Sequence, residues 1–471
     1  MRTFLYADAK SNKFWNISLG RCSFSVQFGR VGTAGQTQVK NFADHAKAMK
    51  EHDKLVREKL AKGYHETTPA AAPTLRDALE SALLENPDDL ATHMAYADYL
   101  EEQGDPRGEF VRIQLALESP HHSPAERKEL QRREKELLDA HQAEWVGDWP
   151  AFVVKGGPEG RGQLDFPTPT FGFERGIFTT VTIDELNVEC ARAFVRAPRT
   201  RFVRRLYIGG FAYEEEDEFT PGPDIPTDTV VDHSQQILFH WPHLANLRVF
   251  QLGWTSDEDY GDFCSHQCHL WGGHAHDLVK RMPRIEELYL FARQVNGLAL
   301  FSLEMPEIRI VQLYHSDRYG LKELAENSSL GKLTHLLCHP HATQDDPPIG
   351  LPDLQAIVNS PHLKSLTHLR LRIGDFGDEG VEAIVRSGIL KRLKMLDLRH
   401  GRVTDAGAKL LAGCPDTKNL DLLDLSRNEL TAVGIAALNG IGNSVKTEHQ
   451  HDSTAGLELD AMQYLSEGDY E

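Results

Sequence analysis

The chain has 471 residues, of which 40% are hydrophobic and 26% are charged, which is enough apolar material for two to four domains. No window approaches the roughly 18 consecutive apolar residues of a membrane span, and the start MRTFLYADAKSNKFW lacks the apolar centre of a signal peptide. The six cysteines are mostly scattered and match no disulfide framework. From these features we expect neither membrane insertion nor secretion. They predict a cytoplasmic protein without disulfides.

Charge is distributed unevenly along the chain. The net charge is −19, yet residues 1–68 contain 12 Lys and Arg against 6 Asp and Glu, a net charge of +6. The acidic remainder disfavours nucleic acid wrapped along the whole chain, whereas the basic end is a place where a polyanion could dock. We therefore expect the two ends of the protein to have different partners.

The first predicted element is a hairpin around SVQFGRVGTAGQTQVKNF, residues 25–42. Its three glycines have neither the G-x-G-x-x-G nor the G-x-x-x-x-G-K spacing of phosphate loops, and QTQVK alternates like a second strand. Asp44 is a predicted N-cap for a helix that runs through Leu60 and ends at Gly63, with an apolar side formed by Ala46, Met49, Leu55, Val56 and Leu60.

This arrangement resembles the WGR domain of poly(ADP-ribose) polymerases and of many bacterial proteins, over FGRVGTAGQTQVKNF, a lysine-rich helix and KLAKGYHE. The resemblance implies a small sheet-plus-helix domain over residues 1–68 that clamps DNA ends or breaks. Phe28 takes the position of the motif tryptophan, Gly29 that of the glycine and Arg30 that of the arginine. Phe28 retains a flat apolar surface but lacks the indole N–H. The predicted nucleic-acid contacts are Phe28, Arg30, Lys40, Lys47 and Lys62; the alternative is that Phe28 belongs to the core and Arg30 is a surface charge.

After the linker TTPAAAP, residues 74–149 read as helices, with Ser123, Pro124 and Glu126 opening the longest of them. The segment NPDDLATHMAYADYLEEQGDPRGEFVRIQ resembles the helical repeat-companion domain of multidomain bacterial proteins, which tends to precede repeat arrays. We expect it to be a structural module.

The C-terminal half repeats itself. LTHLRL, LKMLDL and LDLLDL begin at Leu366, Leu393 and Leu420, 27 residues apart, and each is followed by a helical half. This pattern resembles the long form of the leucine-rich repeat, which implies an α/β solenoid with a parallel sheet on its concave side. Weaker strands are predicted at FVRRLYI (202–208), LRVFQL (247–252), IEELYL (285–290), IRIVQL (308–313) and LTHLLC (333–338). The predicted fold is thus multidomain α+β: a WGR-like domain at 1–68, a helical domain at 74–149, a repeat solenoid with insertions at 151–445, and an acidic tail or cap at 446–471.

Residues that alternate with the strand leucines are predicted to point to the concave surface. Aromatic and arginine side chains on a rigid surface are typical of protein-binding hot spots. The predicted protein-binding residues are Tyr207, Tyr289, Phe291, Gln312, Tyr314, Arg370, Arg372 and Arg399.

An insertion at 259–277 gathers several soft or borderline metal ligands. Cys264 and Cys268 have the spacing of half a zinc site, but His274 and His276 follow Cys268 too closely for a usual zinc finger. These four residues are metal-ligand candidates only, and no cofactor is predicted.

Two functions fit this organisation. The favoured one is a noncatalytic bacterial adaptor or sensor, with repeats that bind a protein partner and a WGR-like domain that binds nucleic acid or a second protein. The alternative is a metal-dependent enzyme or regulatory subunit that uses the Cys/His-rich insertion at 264–276. No nucleophile elbow, kinase set or Rossmann fingerprint occurs in the sequence, which favours the adaptor.

Overall fold

A computed structural model describes residues 2–8, 11–31, 33, 35–67, 74–152, 169–211, 233–253, 272–292, 295–314, 319–340, 349–441 and 444–451. The chain divides into two compact units, residues 1–99 and 100–471. Both units mix helices and strands: the first has a small antiparallel sheet and the second a large, mostly parallel one.

The first unit is built on a five-stranded antiparallel sheet with the strand order β4-β3-β2-β1-β5. Its elements are β1 (Arg2–Asp8), β2 (Ser11–Leu19), β3 (Ser23–Arg30), β4 (Gln36–Asn41), α1 (His45–Ala61), β5 (His65–Thr67), α2 (Leu75–Glu85) and α3 (Leu90–Glu102), the last of which crosses the division. Helix α1 lies on one face of the sheet, and the core beneath it comprises Phe4, Trp15, Ile17, Phe24, Val26 and Val56. The face of the sheet against which α1 packs is called the covered face below.

The predicted hairpin and helix are both present in this unit. Strands β3 and β4 pair antiparallel, and the Asp44 side chain accepts a hydrogen bond of 2.8 Å from the backbone N–H of Lys47. The predicted apolar side of α1 is wrong in detail: its buried residues are Ala48, His52 and Val56, and Met49 is 49% exposed. The buried residues are spaced by four, so they form one stripe along the helix.

The second unit contains two long helices followed by an eleven-stranded sheet. Its elements are α4 (Arg107–Glu118), α5 (Pro124–Val146), β6 (Thr170–Glu174), β7 (Ile177–Leu186), α6 (Val188–Arg196), β8 (Arg205–Phe211), α7 (His233–Phe239), β9 (Val249–Leu252), α8 (Ala275–Val279), β10 (Glu287–Phe291), α9 (Gly297–Phe301), β11 (Ile310–Tyr314), α10 (Leu321–Glu326), β12 (His335–His339), α11 (Leu351–Val358), β13 (His368–Leu371), α12 (Gly377–Ser387), β14 (Met395–Asp397), α13 (Asp405–Gly413), β15 (Leu422–Asp424), α14 (Ala432–Leu438) and β16 (Ser444–Lys446). The strands lie in chain order, and all neighbours from β7 to β16 are parallel.

The repeat spacing appears directly in the strand register. Leu369 pairs with Leu396 and Leu396 with Leu423, each pair 27 positions apart. These leucines are fully buried on the face against which the helices pack. The side chains that alternate with them on β8–β15 form the opposite face, called the open face below.

Helices α4 and α5 share a core with the first strand of the large sheet. The Phe110 ring lies 4.9 Å from that of Trp145 and 5.8 Å from that of Phe173 on β6, centroid to centroid. The Gln114 side chain also donates a hydrogen bond to the Phe173 carbonyl and accepts one from the backbone N–H of Gly176. The division between the compact units therefore falls inside the segment 74–149 that the sequence groups as one helical domain.

Candidate nucleic-acid and protein interfaces

The glycine-rich stretch is a tight hairpin covered by an aromatic ring. Gly35 has φ of +64°, and a Cβ atom there would lie 2.5 Å from Cζ of Phe14 and 2.6 Å from the carbonyl oxygen of Phe28. A Cβ atom on Gly29 would lie 2.8 Å from Cα of Gly35. Only glycine fits at these two positions, and the reason is close packing within the hairpin rather than room for a phosphate.

Phe28 and Arg30 lie on the covered face of the sheet but differ in exposure. Phe28 is half-buried, pairs in register with Trp15 and packs against the core. Arg30 is exposed at the end of β3, and its register partner is Lys13. Phe28 is therefore part of the core edge, and Arg30 and Lys13 are neighbouring surface cations.

Lys59, near the end of α1, lies over two aromatic rings beside these cations. Its Nζ is 5.4 Å from the ring centroid of Trp15 and 4.7 Å from that of Tyr64, and the Tyr64 ring lies 5.3 Å from that of Tyr6. Burial lowers the pKa of Lys59, and the charges of Lys62 and Lys13 lower it further. The described residues thus form a basic-aromatic cluster, consisting of Tyr6, Lys13, Arg30, Lys59, Lys62 and Tyr64.

The predicted lysines do not all belong to this cluster. Lys40 pairs with Phe24 at the opposite end of the sheet. Lys47 lies in the first turn of α1, with its Nζ 3.7 Å from Asp44, whereas Lys62 follows the last turn about 22 Å away along the helix axis. Sequence reasoning missed Tyr6, Lys13, Lys59 and Tyr64, because only the strand register and the packing of α1 bring them to Arg30.

Comparison with known families agrees with these features. Residues 2–71 match the WGR domain model, and residues 362–385 and 393–412 match a leucine-rich repeat model. The N-terminal domain is a WGR domain. The chain also carries leucine-rich repeats in its C-terminal half.

Individual proteins are similar over the WGR domain. The Escherichia coli K-12 protein YfeS is 43% identical over 65 residues, which are 14% of this chain and 27% of YfeS. The Escherichia coli K-12 protein YehF is 46% identical over 66 residues, 14% of this chain and 24% of YehF. The chain therefore spans about a quarter of each relative. The crystal structure of a Bacteroides fragilis protein aligns over 96% of this chain and 97% of its own, at 17% identity and a TM-score of 0.42.

Three of the predicted protein-binding residues form a row across the open face of the repeats, together with Gln251. Tyr207, Gln251, Tyr289 and Gln312 are successive register neighbours on four adjacent strands. The hydroxyl of Tyr289 donates a hydrogen bond of 2.9 Å to Glu287, and burial raises the pKa of Tyr289. The two tyrosines therefore present half-buried rings in a rigid setting.

A second group of aromatic residues lies at the ends of the next strands. Tyr314 lies 4.2 Å from His339 and 6.2 Å from Phe291, ring centroid to ring centroid. Phe291 is only 4% exposed, so the expectation that its ring lies on the surface is wrong. Gly253, which directly follows β9, packs closely against it, and a Cβ atom at Gly253 would clash with Phe291.

Two arginines of the open face form a largely buried ion-pair network with Asp397. The carboxylate of Asp397 accepts from Nε of Arg370 at 2.9 Å and from Arg372 at 3.0 Å, and its other oxygen accepts from the backbone N–H of Arg399 at 3.1 Å. Asp397 is 2% exposed and the two arginine side chains 12% and 13%. Burial by itself would raise the pKa of Asp397, but Arg372 and Arg370 outweigh it and hold the pKa below its ordinary value. Arg370 and Arg372 are therefore largely buried around Asp397, and not exposed as protein-binding residues of the concave surface.

The metal-ligand candidates fall largely outside the described residues. This holds for Cys264 and Cys268, whereas Nδ1 of His274 lies 3.3 Å and Nε2 of His276 lies 3.7 Å from the carboxylate of Asp277. Within the described ranges no three His, Cys, Asp or Glu side chains converge as a metal site would require. None of the helices described combines the length and apolar character that a membrane span needs.

Proposed function

We propose that this protein is a noncatalytic adaptor of the bacterial cytoplasm that binds nucleic acid through its WGR domain and a protein partner through its leucine-rich repeats. The basic-aromatic cluster carries the first half of this proposal. It joins four cations to two tyrosine rings at one end of a small domain. Cations that contact phosphates and aromatic rings that stack on bases or sugars are the usual components of nucleic-acid sites.

The nucleic-acid half is tested with the full-length chain and a fluorescein-labelled duplex that has one nick and blunt ends, at about 50 mM and 200 mM salt. We expect weak binding that decreases as salt rises. The double variant Lys13→Glu, Arg30→Glu should lose this binding. The matched control Lys40→Glu, Lys47→Glu changes charge equally on the same domain, but at the other end of α1, and should retain it. No binding by the unchanged protein at low salt, or equal loss in both variants, would contradict the proposal.

The protein-binding half rests on the open face. We infer that the repeats stack into a curved solenoid, since strand-helix units of 27 residues cannot bury their leucines alone. The inner surface of such a solenoid is broad and shallow, whereas small-molecule sites are enclosed pockets. Half-buried rings on fixed strands, such as Tyr207, Tyr289 and Tyr314, are suited to anchor an interface.

Cross-linking of a native lysate to the full chain, followed by mass spectrometry, tests this half. The variant Tyr289→Ala, Tyr314→Ala should lose the captured partner, because truncation of interface anchors typically costs about 2 kcal/mol or more. The control Val433→Ala alters a 58% exposed apolar residue on α14 and should capture normally. Unchanged capture by the tyrosine variant, with a normal thermal transition, would refute the assignment of the open face.

A further inference from the structure

Two histidines stack at the centre of the open face. His335 on β12 and His368 on β13 are register partners, and their rings lie 3.9 Å apart with planes 13° from parallel. Both are half-buried. Each follows a threonine in the repeated Leu-Thr-His motif, at 333–335 and 366–368.

The threonines determine which ring nitrogen carries the proton. The Thr334 hydroxyl donates to the carbonyl of Arg309 at 3.0 Å and lies 2.8 Å from Nδ1 of His335. The Thr367 hydroxyl likewise donates to the carbonyl of Thr334 at 3.2 Å and lies 2.9 Å from Nδ1 of His368. A hydroxyl has one hydrogen to donate; because each hydroxyl is placed as a donor to a carbonyl, we infer that Nδ1 is the donor in each contact with threonine. Both neutral rings therefore expose Nε2 as a hydrogen-bond acceptor.

The surroundings disfavour a charge on this pair. Burial lowers the pKa of both imidazoles, and the charge of His368 lowers that of His335 further. Glu287 acts in the opposite direction on His335, as does Asp421 on His368, but more weakly than burial. Two protons on rings 3.9 Å apart would place like charges in direct contact. The pair is thus neutral at pH 7 and must titrate as a coupled unit in acid.

We propose that His335 and His368 form a proton-operated contact in the open face: their Nε2 atoms accept hydrogen bonds from the protein partner, and protonation at Nε2 turns these acceptors into donors and releases the partner. This inference rests on the proposed function of the open face. Histidine is suited to this role because its charge changes near physiological pH.

Nuclear magnetic resonance of the full chain tests the pair without a partner. Long-range proton-nitrogen spectra from pH 8 to pH 5 should show both rings in the Nδ1–H form at high pH, followed by separate protonation steps below the ordinary histidine value of about 6.5. His368→Gln should move the titration of His335 to higher pH, because its like-charged neighbour is removed. The control His362→Gln, which changes a half-buried histidine outside the pair, should leave it in place. Nε2–H tautomers, or one shared step near pH 6.5, would overturn the inference.

The cross-linked partner then tests release. Capture by the unchanged protein should be strong at pH 7.5 and lost at pH 5.5, whereas the variant His335→Gln, His368→Gln should capture at both, since a side-chain amide is an acceptor that does not titrate. Equal capture by the unchanged protein at both pH values would overturn the inference. Absence of any captured partner at pH 7.5 would instead contradict the proposed function of the open face. The part of the inference that concerns release of a partner would then fail with it.

Discussion

Asp378 of one repeat caps the next repeat through Thr404. Its carboxylate accepts from the backbone N–H of Thr404 at 2.9 Å and from the Thr404 hydroxyl at 2.6 Å, and also from the backbone N–H of Gly407 at 2.9 Å. Asp405 makes the same three contacts with Thr431 and Gly434 one repeat later. Stacking of these repeats is therefore stabilised by hydrogen bonds at the helix N-termini as well as by leucine burial.

Replacement of this carboxylate should destabilise the repeat array. We expect Asp378→Ala to lower the free energy of unfolding by about 1.5–3 kcal/mol, the range for hydrogen bonds to a charged group. Urea unfolding followed by circular dichroism measures the effect. The neighbouring exposed Glu379 provides the control, and Glu379→Ala should change stability by less than about 0.5 kcal/mol. Equal effects of the two variants would show that Asp378 does not join the repeats.

Leu396 provides a test of the repeat register. It is fully buried between Leu369 and Leu423, so Leu396→Ala should cost about 2–5 kcal/mol of unfolding free energy. Leu410 on α13 is 41% exposed, and Leu410→Ala should cost far less. Chemical denaturation compares the two; a cost near zero for Leu396→Ala would mean that the register is wrong.

Asp397 should make the repeats sensitive to acid. Its folded pKa lies below the ordinary value, so its contribution to stability is complete above an unfolded pKa of about 3.9 and is lost as pH falls through the folded pKa. Asp397→Asn should flatten this part of a plot of stability against pH and cost about 3–5 kcal/mol at pH 7, because two half-buried guanidiniums lose their shared carboxylate.

A second aspartate tests whether burial, and not charge alone, explains the contribution of Asp397 to stability. Asp375 forms an exposed ion pair of 3.1 Å with Arg402, which is expected to contribute at most about 1 kcal/mol. Asp375→Asn should therefore shift the unfolding midpoint little at pH 7. A loss as large as that of Asp397→Asn would argue that burial of Asp397 is not the reason for its contribution.

Arg30 should contribute one phosphate contact to nucleic-acid binding. Arg30→Ala should weaken duplex binding to a similar degree for unrelated sequences and reduce the slope of log affinity against log salt by about 1. Fluorescence anisotropy over a salt series gives that slope. A change confined to one DNA sequence, with the slope intact, would indicate a base contact instead.

Much of this organisation follows from short stretches of sequence. The hairpin around Gly29 and Gly35, the cap at Asp44 and the 27-residue repeat all appear where the residues predict them. Each depends on local chain geometry: left-handed backbone at a glycine, a side chain that reaches the third residue of a helix, or leucines that alternate along a strand. Such features are determined by neighbours in the chain.

Tertiary structure alone decided which side chains meet. Lys13 joins Arg30 only through the strand register, and Lys59 joins them only through the packing of α1. Arg370 and Arg372, predicted as protein-binding residues of the concave surface, instead enclose Asp397, which lies in the next repeat, 27 positions after Arg370. A periodic pattern places each side chain on a face, but the partner across the next strand, and with it the exposure and charge of the site, is set by contacts between residues far apart in sequence.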